Sequence, residues 1–160
     1  MRKRITNIII TLSMILLLSG CSAKDDKVSD AAEGVVKAMF TAPNPELYDP
    51  DAVTVIGEGQ DEGNAAENKK IEDNWEVLVG KYFEEGRLEY FISTYGLQYL
   101  TDAALENKEI SVKEIELVNK TDTSETVLIK YLDGATEKEE KIYFQYDQEG
   151  LIRDVKPSDN

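Results

Sequence analysis

Residues 124–146, "SETVLIKYLDGATEKEEKIYFQY", decide the fold class of this chain. Apolar and polar residues alternate in both halves of the stretch, and a period of two residues is that of a β-strand with one buried face. The predicted inward positions are Val127, Ile129 and Tyr131 in the first half and Ile142, Phe144 and Tyr146 in the second. Asp133 and Gly134 lie between the halves, where a hairpin needs a tight turn. The stretch therefore predicts two antiparallel strands.

Two more strand-like stretches flank this hairpin. Residues 109–120, "EISVKEIELVNK", alternate in the same way except for a slip in phase near Lys113, which predicts a β-bulge. On the other side, Glu149 and Gly150 supply a second turn before residues 151–158, "LIRDVKPS". The C-terminal part of the chain therefore predicts an antiparallel meander of about four strands.

Upstream of the predicted sheet, apolar residues recur at helical spacing. A first stripe predicts a helix near its capping-box-like pair, Asp30 and Glu33. The stripe consists of Val28, Ala31, Ala32, Val35, Val36, Met39 and Phe40. A second stripe predicts another helix, which we expect to end at Gly86. It consists of Ile71, Trp75, Leu78, Val79, Tyr82 and Phe83. Residues 87–109 predict two more short helices, joined near Gly96.

The segment between the first two helical stripes is irregular. Prolines interrupt the helix across residues 42–51, where Asn44 before Pro45 can cap one short helical turn. Residues 53–56 then predict a short strand, and residues 57–67 predict a solvated loop rich in glycine and acidic residues.

The order of these elements resembles the NTF2-like fold over residues 28–157, including the closing "DQEGLIRDVKP" hairpin at residues 147–157. In that family, helices pack into the concave side of a curved antiparallel sheet and form a cone with a pocket. A cystatin-like fold, in which one long helix packs on the sheet, is the alternative, and three helical segments count against it. We therefore expect a single α+β domain over residues 28–157, with N-terminal helices packed on a curved sheet.

The start of the chain has a different character. Arg2, Lys3 and Arg4 form a positive cluster, and an apolar run of about a dozen residues follows over positions 8–18. A helical bilayer crossing needs about 20 apolar residues, so this run is typical of a secretion signal rather than of a permanent span. The single cysteine of the chain, Cys21, comes directly after it.

The motif Leu18-Ser19-Gly20-Cys21 resembles the lipobox of bacterial lipoproteins. In that family a signal peptidase recognises the residues before the cysteine and cuts there, and the thiol carries a diacylglyceryl group with fatty acids such as palmitate. The resemblance implies a signal peptide at residues 1–20 and a lipidated cysteine with a flexible tether at residues 21–27. It also implies a cell-membrane location on the extracytoplasmic side, with the membrane as a partner through the lipid. An uncleaved membrane anchor is the alternative.

The net charge of the mature chain argues against two classes of binding partner. Residues 1–20 contain three of the 18 basic residues and none of the 32 acidic ones, so a chain cut before Cys21 carries a net charge of −17. Such a domain repels phosphates, which argues against nucleic-acid binding, and it repels anionic lipid headgroups. With one cysteine it forms no internal disulfide and must rely on packing.

The sequence contains few of the residue patterns that catalysis or metal binding requires. The chain has no histidine, which excludes a Ser-His-Asp triad and histidine metal ligands. The acid-rich residues 49–53 and 57–67 lack the spacing of a calcium loop, so we expect no metal and no cofactor. The charge run at residues 132–141 is explained by an exposed, soluble hairpin.

One catalytic alternative follows from the NTF2-like resemblance, because ketosteroid isomerases of that family pair a pocket tyrosine with a pocket aspartate. Asp154 is the nearest candidate for such an acid. Amphipathic packing at the core edge is the favoured role of the tyrosines, which in the predicted body are Tyr82, Tyr90, Tyr95, Tyr99, Tyr131, Tyr143 and Tyr146. No catalytic residue is therefore assigned.

Three functions stay open. The favoured one is a tethered, non-catalytic binding or scaffolding module for an envelope protein or a small-molecule ligand. The second is a small isomerase or dehydratase, which a buried carboxylate inside a pocket would favour. The third is an inhibitor or immunity-type lipoprotein, which a protruding ordered loop at residues 57–67 would favour.

Overall fold

A computed structural model of the chain describes residues 27–50 and 62–158, with side chains of the second range described from Asn68 onward. The predicted signal peptide and the strand at residues 53–56 lie outside these ranges. The helices are α1 (Asp30–Met39), α2 (Glu62–Val79), α3 (Arg87–Phe91) and α4 (Gln98–Glu106). The strands are β1 (Ile110–Lys120), β2 (Ser124–Asp133), β3 (Thr136–Tyr146) and β4 (Ile152–Pro157). The domain is of the α+β class: three longer helices, α1, α2 and α4, and the five-residue α3 are packed with an open four-stranded sheet.

The predicted meander is confirmed. The strand order is β1-β2-β3-β4 and every neighbouring pair is antiparallel. Gly134 and Gly150 lie in the two predicted turns with φ of 61° and 85°, a left-handed conformation that glycine adopts without a Cβ clash. The register of β1 against β2 shifts between Val112 and Glu114, so the bulge predicted near Lys113 is confirmed as well.

Helix α1 buries the predicted stripe but begins with a different cap. Ser29, and not Asp30, is the N-cap, because its hydroxyl accepts a hydrogen bond from the Ala32 amide at 3.1 Å. Glu33 pairs with Lys37 one turn later instead of reaching back to the cap. The predicted capping box of Asp30 and Glu33 is therefore wrong, because the third residue after the Ser29 cap is Ala32, which has no side chain that can reach back.

The second helical region differs from the prediction at both ends. Helix α2 already includes Glu62, so the loop predicted over residues 57–67 is wrong from residue 62 onward. At its other end α2 stops at Val79, and a short 3-10 turn follows. Beyond this turn the chain pairs with β4, where the Glu84 amide donates to the Ile152 carbonyl at 3.0 Å. Gly86 ends no helix but lies just before α3 with φ of 75°.

Helices α3 and α4 confirm the two short helices predicted after Gly86. A single π-helical segment, Ile92–Gly96, joins them at the predicted position near Gly96. The glycine has a packing reason, since a Cβ at this position would lie 3.2 Å from the Phe91 ring.

The core confirms that Trp75 is buried, with none of its surface exposed. Its indole N–H donates to the Leu47 carbonyl at 3.1 Å, and its ring meets Phe91 edge-on with the centroids 5.9 Å apart. Trp75 thus joins α2 to α3 and to the proline-containing segment after α1, which buries Leu47.

Different turns and chain segments lie at the two ends of the sheet. The Ser29 end, as we call it, holds the β1–β2 turn, the β3–β4 turn and the start of α1 at Ser29. The Asp133 end holds the β2–β3 turn that follows Asp133 and the backbone pairing of Ala42 with Ile110, in which both N–H groups donate at 2.9 Å. Strand β2 runs from the first end to the second.

Candidate functional site

The helix-facing side of β2 is apolar in the middle and acidic at both ends. Val127, Ile129 and Tyr131 are buried there, as their alternation predicts. The same alternation places Glu125 at the Ser29 end and Asp133 at the Asp133 end. Each of these acids has its own set of partners.

Glu125 is the one buried charged residue of the part of the chain that the structure describes, with 1% of its surface exposed. Its Oε1 accepts from the Ser29 hydroxyl at 2.5 Å and from the Tyr146 hydroxyl at 2.6 Å. Its Oε2 accepts from the Ser29 amide at 3.3 Å and lies 3.7 Å from Nζ of Lys120. The carboxylate therefore has a partner for both oxygens.

The two hydroxyls of this cluster also contact each other. The Ser29 and Tyr146 oxygens lie 2.9 Å apart, and each lies within hydrogen-bond distance of Oε1 of Glu125. The Ser29 oxygen in turn accepts from the Ala32 amide, which caps α1. Burial, and next the bond to Glu125, raise the pKa of Tyr146 well above its usual range. The cluster is a hydrogen-bonded network that holds the start of α1 to the sheet.

At the other end of β2, two lysines surround Asp133. Nζ of Lys108 lies 2.7 Å from Oδ1 of Asp133 and forms an ion pair with it. Lys138 forms a second ion pair with Oδ2. These lysines, Lys108 first, hold the pKa of Asp133 below its ordinary value of 3.8. The amide of Gly134 also donates to the Glu109 carbonyl at 2.7 Å. Together these contacts fasten the β2–β3 turn to the segment that precedes β1.

A cavity of about 490 Å³ lies beside this corner, and we call it the proline-loop groove. It lies between the segment 43–50 and the C-terminal half of α4. Its apolar lining includes Pro43, Pro45, Tyr48, Leu100, Ala103 and Ala104. Its polar lining includes Asn44, Asn107, Lys108 and Glu109. The lining contains two charged residues, Lys108 and Glu109. Lys108 forms ion pairs with Asp133 and Glu106, whereas the Glu109 carboxylate has no ion pair among the described residues.

A second cavity of about 530 Å³, the charged groove, also lies at the Asp133 end. Strands β1, β2 and β3 line it with lysines and glutamates in equal number. These side chains pair with one another: Lys113 contacts Glu137, and Nζ of Lys130 lies 3.0 Å from Glu114. The charges of this groove are largely compensated within the domain, so it is the weaker candidate for a binding site.

Asp154, the predicted candidate acid, lies in neither groove. It is half-buried opposite Gln145, and its carboxylate is 3.6 Å from Nζ of Lys156. Glu125 is a carboxylate that does meet a tyrosine hydroxyl, that of Tyr146, and the prediction missed it. The signal was present, because position 125 continues the inward alternation of Val127 and Ile129.

The tyrosines lie at the edge of the core, as expected for amphipathic packing. Tyr131 is buried, Tyr90 is 56% exposed, and the others of the predicted set are half-buried. Tyr99 stacks on Phe40 with ring centroids 4.0 Å apart, and burial raises its pKa above its usual range, with Glu140 as the next cause.

The remaining predicted residues, Leu18, Ser19, Gly20 and Cys21, lie outside the described residues. Within residues 27–50 and 62–158, no helix is both long and apolar enough to cross a membrane. The same ranges contain no group of three or more acidic, histidine or cysteine residues arranged to hold a metal ion.

We compared the chain with models of protein families, with curated proteins and with solved structures, and none of them matched.

Proposed function

We propose that the protein is a lipoprotein anchored to the extracytoplasmic side of the cell membrane, where its domain acts as a non-catalytic binding or scaffolding module. The observation that carries this proposal is the motif Leu18-Ser19-Gly20-Cys21 behind a positive cluster and an apolar run of signal-peptide length. Two or three acyl chains on Cys21 give stable anchoring, since each buried methylene contributes about 0.8 kcal/mol.

The interior of the domain supports binding over catalysis. The helix-facing side of the sheet is filled by packed side chains such as Ile129, Ile142 and Phe144, each with no exposed surface. A general acid or base must reach its substrate, whereas the buried carboxylate of Glu125 is saturated by Ser29 and Tyr146 and lines neither described cavity.

The proline-loop groove is the surface that best supports a binding role. Its lining offers Pro43, Pro45 and Ala104 to an apolar side chain, and Glu109 offers its carboxylate to a cationic group. The net charge of −17 of the mature chain favours a partner of the opposite sign. The occupant that fits this chemistry is a polypeptide segment with an apolar side chain beside a lysine or arginine.

Crosslinking in cells tests the binding role. The partner that crosslinks to the wild-type protein is identified and its affinity for the full chain is then measured. Ala104→Trp places a large side chain in the groove, so we expect at least a tenfold loss of affinity. Leu105→Trp is the matched control, because Leu105 is on the same helix but 78% exposed and outside the groove lining. Equal affinity of the two variants would refute the groove as the binding site.

We further propose that the domain is NTF2-like. Support comes from the order of helices before an antiparallel meander, from the packing of the helices on one face, and from the bulges of β1, which bend a strand. A crystal structure tests this: a sheet curved around the helices as a cone is expected, whereas a flat sheet under one dominant helix would favour the cystatin-like alternative.

A further inference from the structure

Hydrogen bonds to the sheet fix the position at which the tether enters the domain. Lys27, the first described residue, has its carbonyl bonded to Nζ of Lys120 at 3.0 Å, at the end of β1. Two residues later, Ser29 is bonded to the buried Glu125. Any chain that arrives from Cys21 is therefore attached at the Ser29 end of the sheet.

The tether is short compared with the domain. From Cys21 to Lys27 the covalent chain spans at most roughly 20 Å, at about 3.3–3.6 Å per residue. From Glu125 to Asp133, strand β2 covers roughly 26 Å, at about 3.3 Å per residue. The Asp133 end therefore lies farther from the attachment point at Lys27 and Ser29 than the tether can reach, so the anchor cannot lie at the Asp133 end.

Both grooves lie at this far end. The lining of the proline-loop groove includes Lys108, which contacts Asp133. The lining of the charged groove includes Glu137 and Lys138, which directly follow the β2–β3 turn. The Ser29 end, in contrast, contains neither groove among the described residues.

We infer that the domain stands on the membrane with its Ser29 end toward the bilayer and presents the proline-loop groove outward, to a polypeptide partner in the aqueous space. This inference rests on the proposed lipid anchor. It excludes lipid headgroups and membrane-buried segments as occupants of the groove. The acidic domain supports the same arrangement, because anionic headgroups repel it and the chain attachment alone keeps the Ser29 end close.

Energy transfer to lipids tests this orientation. Thr123→Cys and Ala135→Cys introduce one thiol each, in exposed turns at the Ser29 end and the Asp133 end respectively. The native thiol of Cys21 is blocked by lipid in the proposed mature chain. Each full-length variant is isolated from membranes, labelled with a donor fluorophore and reconstituted into phosphatidylethanolamine and phosphatidylglycerol vesicles that contain an acceptor-labelled lipid.

The expected result is at least twofold higher transfer from position 123 than from position 135. Equal transfer, or higher transfer from position 135, in protein that remains with the vesicles would overturn the orientation and leave the anchor standing. Protein that stays in solution with no transfer from either position would refute the anchor itself, and the orientation with it. Circular dichroism spectra that match the wild-type chain ensure that both variants are folded.

Discussion

The hydroxyl of Ser29 lies 2.5 Å from the carboxylate of Glu125, which joins the cap of the first helix to the inner face of a strand far along the chain. Ser29 caps α1 through the Ala32 amide, and Glu125 would be an uncompensated buried charge without its donors. Together they attach the entry point of the domain to its sheet.

Removal of this carboxylate should destabilise the domain. Glu125→Ala leaves Ser29 and Tyr146 without their acceptor, and we expect a loss of about 2–4 kcal/mol in the free energy of unfolding. Tyr146→Phe removes one bond to a charged group and should cost about 1.5–3 kcal/mol. Urea denaturation of the detergent-solubilised full chain measures both. The control is Glu139→Gln, at an exposed position of β3, with less than about 0.5 kcal/mol expected; a Glu125→Ala variant as stable as this control would contradict the role of Glu125.

Truncation of the tryptophan should be at least as costly. Trp75→Ala opens a cavity beside Phe91 and removes the bond to the Leu47 carbonyl, so we expect a loss of about 3–5 kcal/mol. A domain of this size has about 5–15 kcal/mol of stability in total. Trp75 is the single tryptophan, so its fluorescence in the wild-type chain reports burial directly. Free quenching by acrylamide under native conditions would show that the assignment of Trp75 to the core is wrong.

The ion pairs of Asp133 should make the stability of the domain depend on pH in the acidic range. Lys108 and Lys138 lower the pKa of Asp133 in the folded chain below 3.8, so its contribution is present above that pH and is lost as the pH falls through the folded pKa. Asp133→Asn should therefore be less stable than the wild type at neutral pH, and the gap should close below about pH 3.8. Thermal melting at several pH values measures this gap. Asp122→Asn, in an exposed turn, is the control, and a gap for Asp133→Asn that stays constant down to pH 2 would contradict the ion pairs.

Local chemistry was enough to predict most of the fold. Alternation and turn residues predicted the meander, and the phase slip at Lys113 predicted a bulge that the register confirms. These features depend on neighbouring residues in the sequence, which is why a single sequence contains them. The same holds for the burial of Trp75 in the stripe of α2.

The errors occurred where distant contacts decide the structure. Gly86 was expected to end a helix, but the helix ends at Val79 and the chain then pairs with Ile152 on β4. Asp30 was expected to act as the cap, but Ser29 does so, at a position where its hydroxyl also serves Glu125. The carboxylate of Glu125 itself was missed because its partners come from three separate segments, although its inward position followed from the strand period.

Replacement of the proposed acylated residue should abolish the lipid anchor. Cys21→Ser removes the thiol that carries the lipid, so we expect the variant either to appear in the soluble fraction or to remain as an uncut precursor. Fractionation of cells followed by immunoblotting measures this. Ser22→Ala, one residue farther along, is the matched control and should stay with the membrane, so release of both variants alike would argue against an anchor on Cys21.

Mass spectrometry of the wild-type protein purified from membranes tests the lipoprotein assignment most directly. The proposal predicts a chain that begins at Cys21 and carries the added mass of a diacylglyceryl group, with or without a third acyl chain. An N-terminus at Met1 with no lipid on any residue would contradict the anchor, the location and the orientation of the domain together.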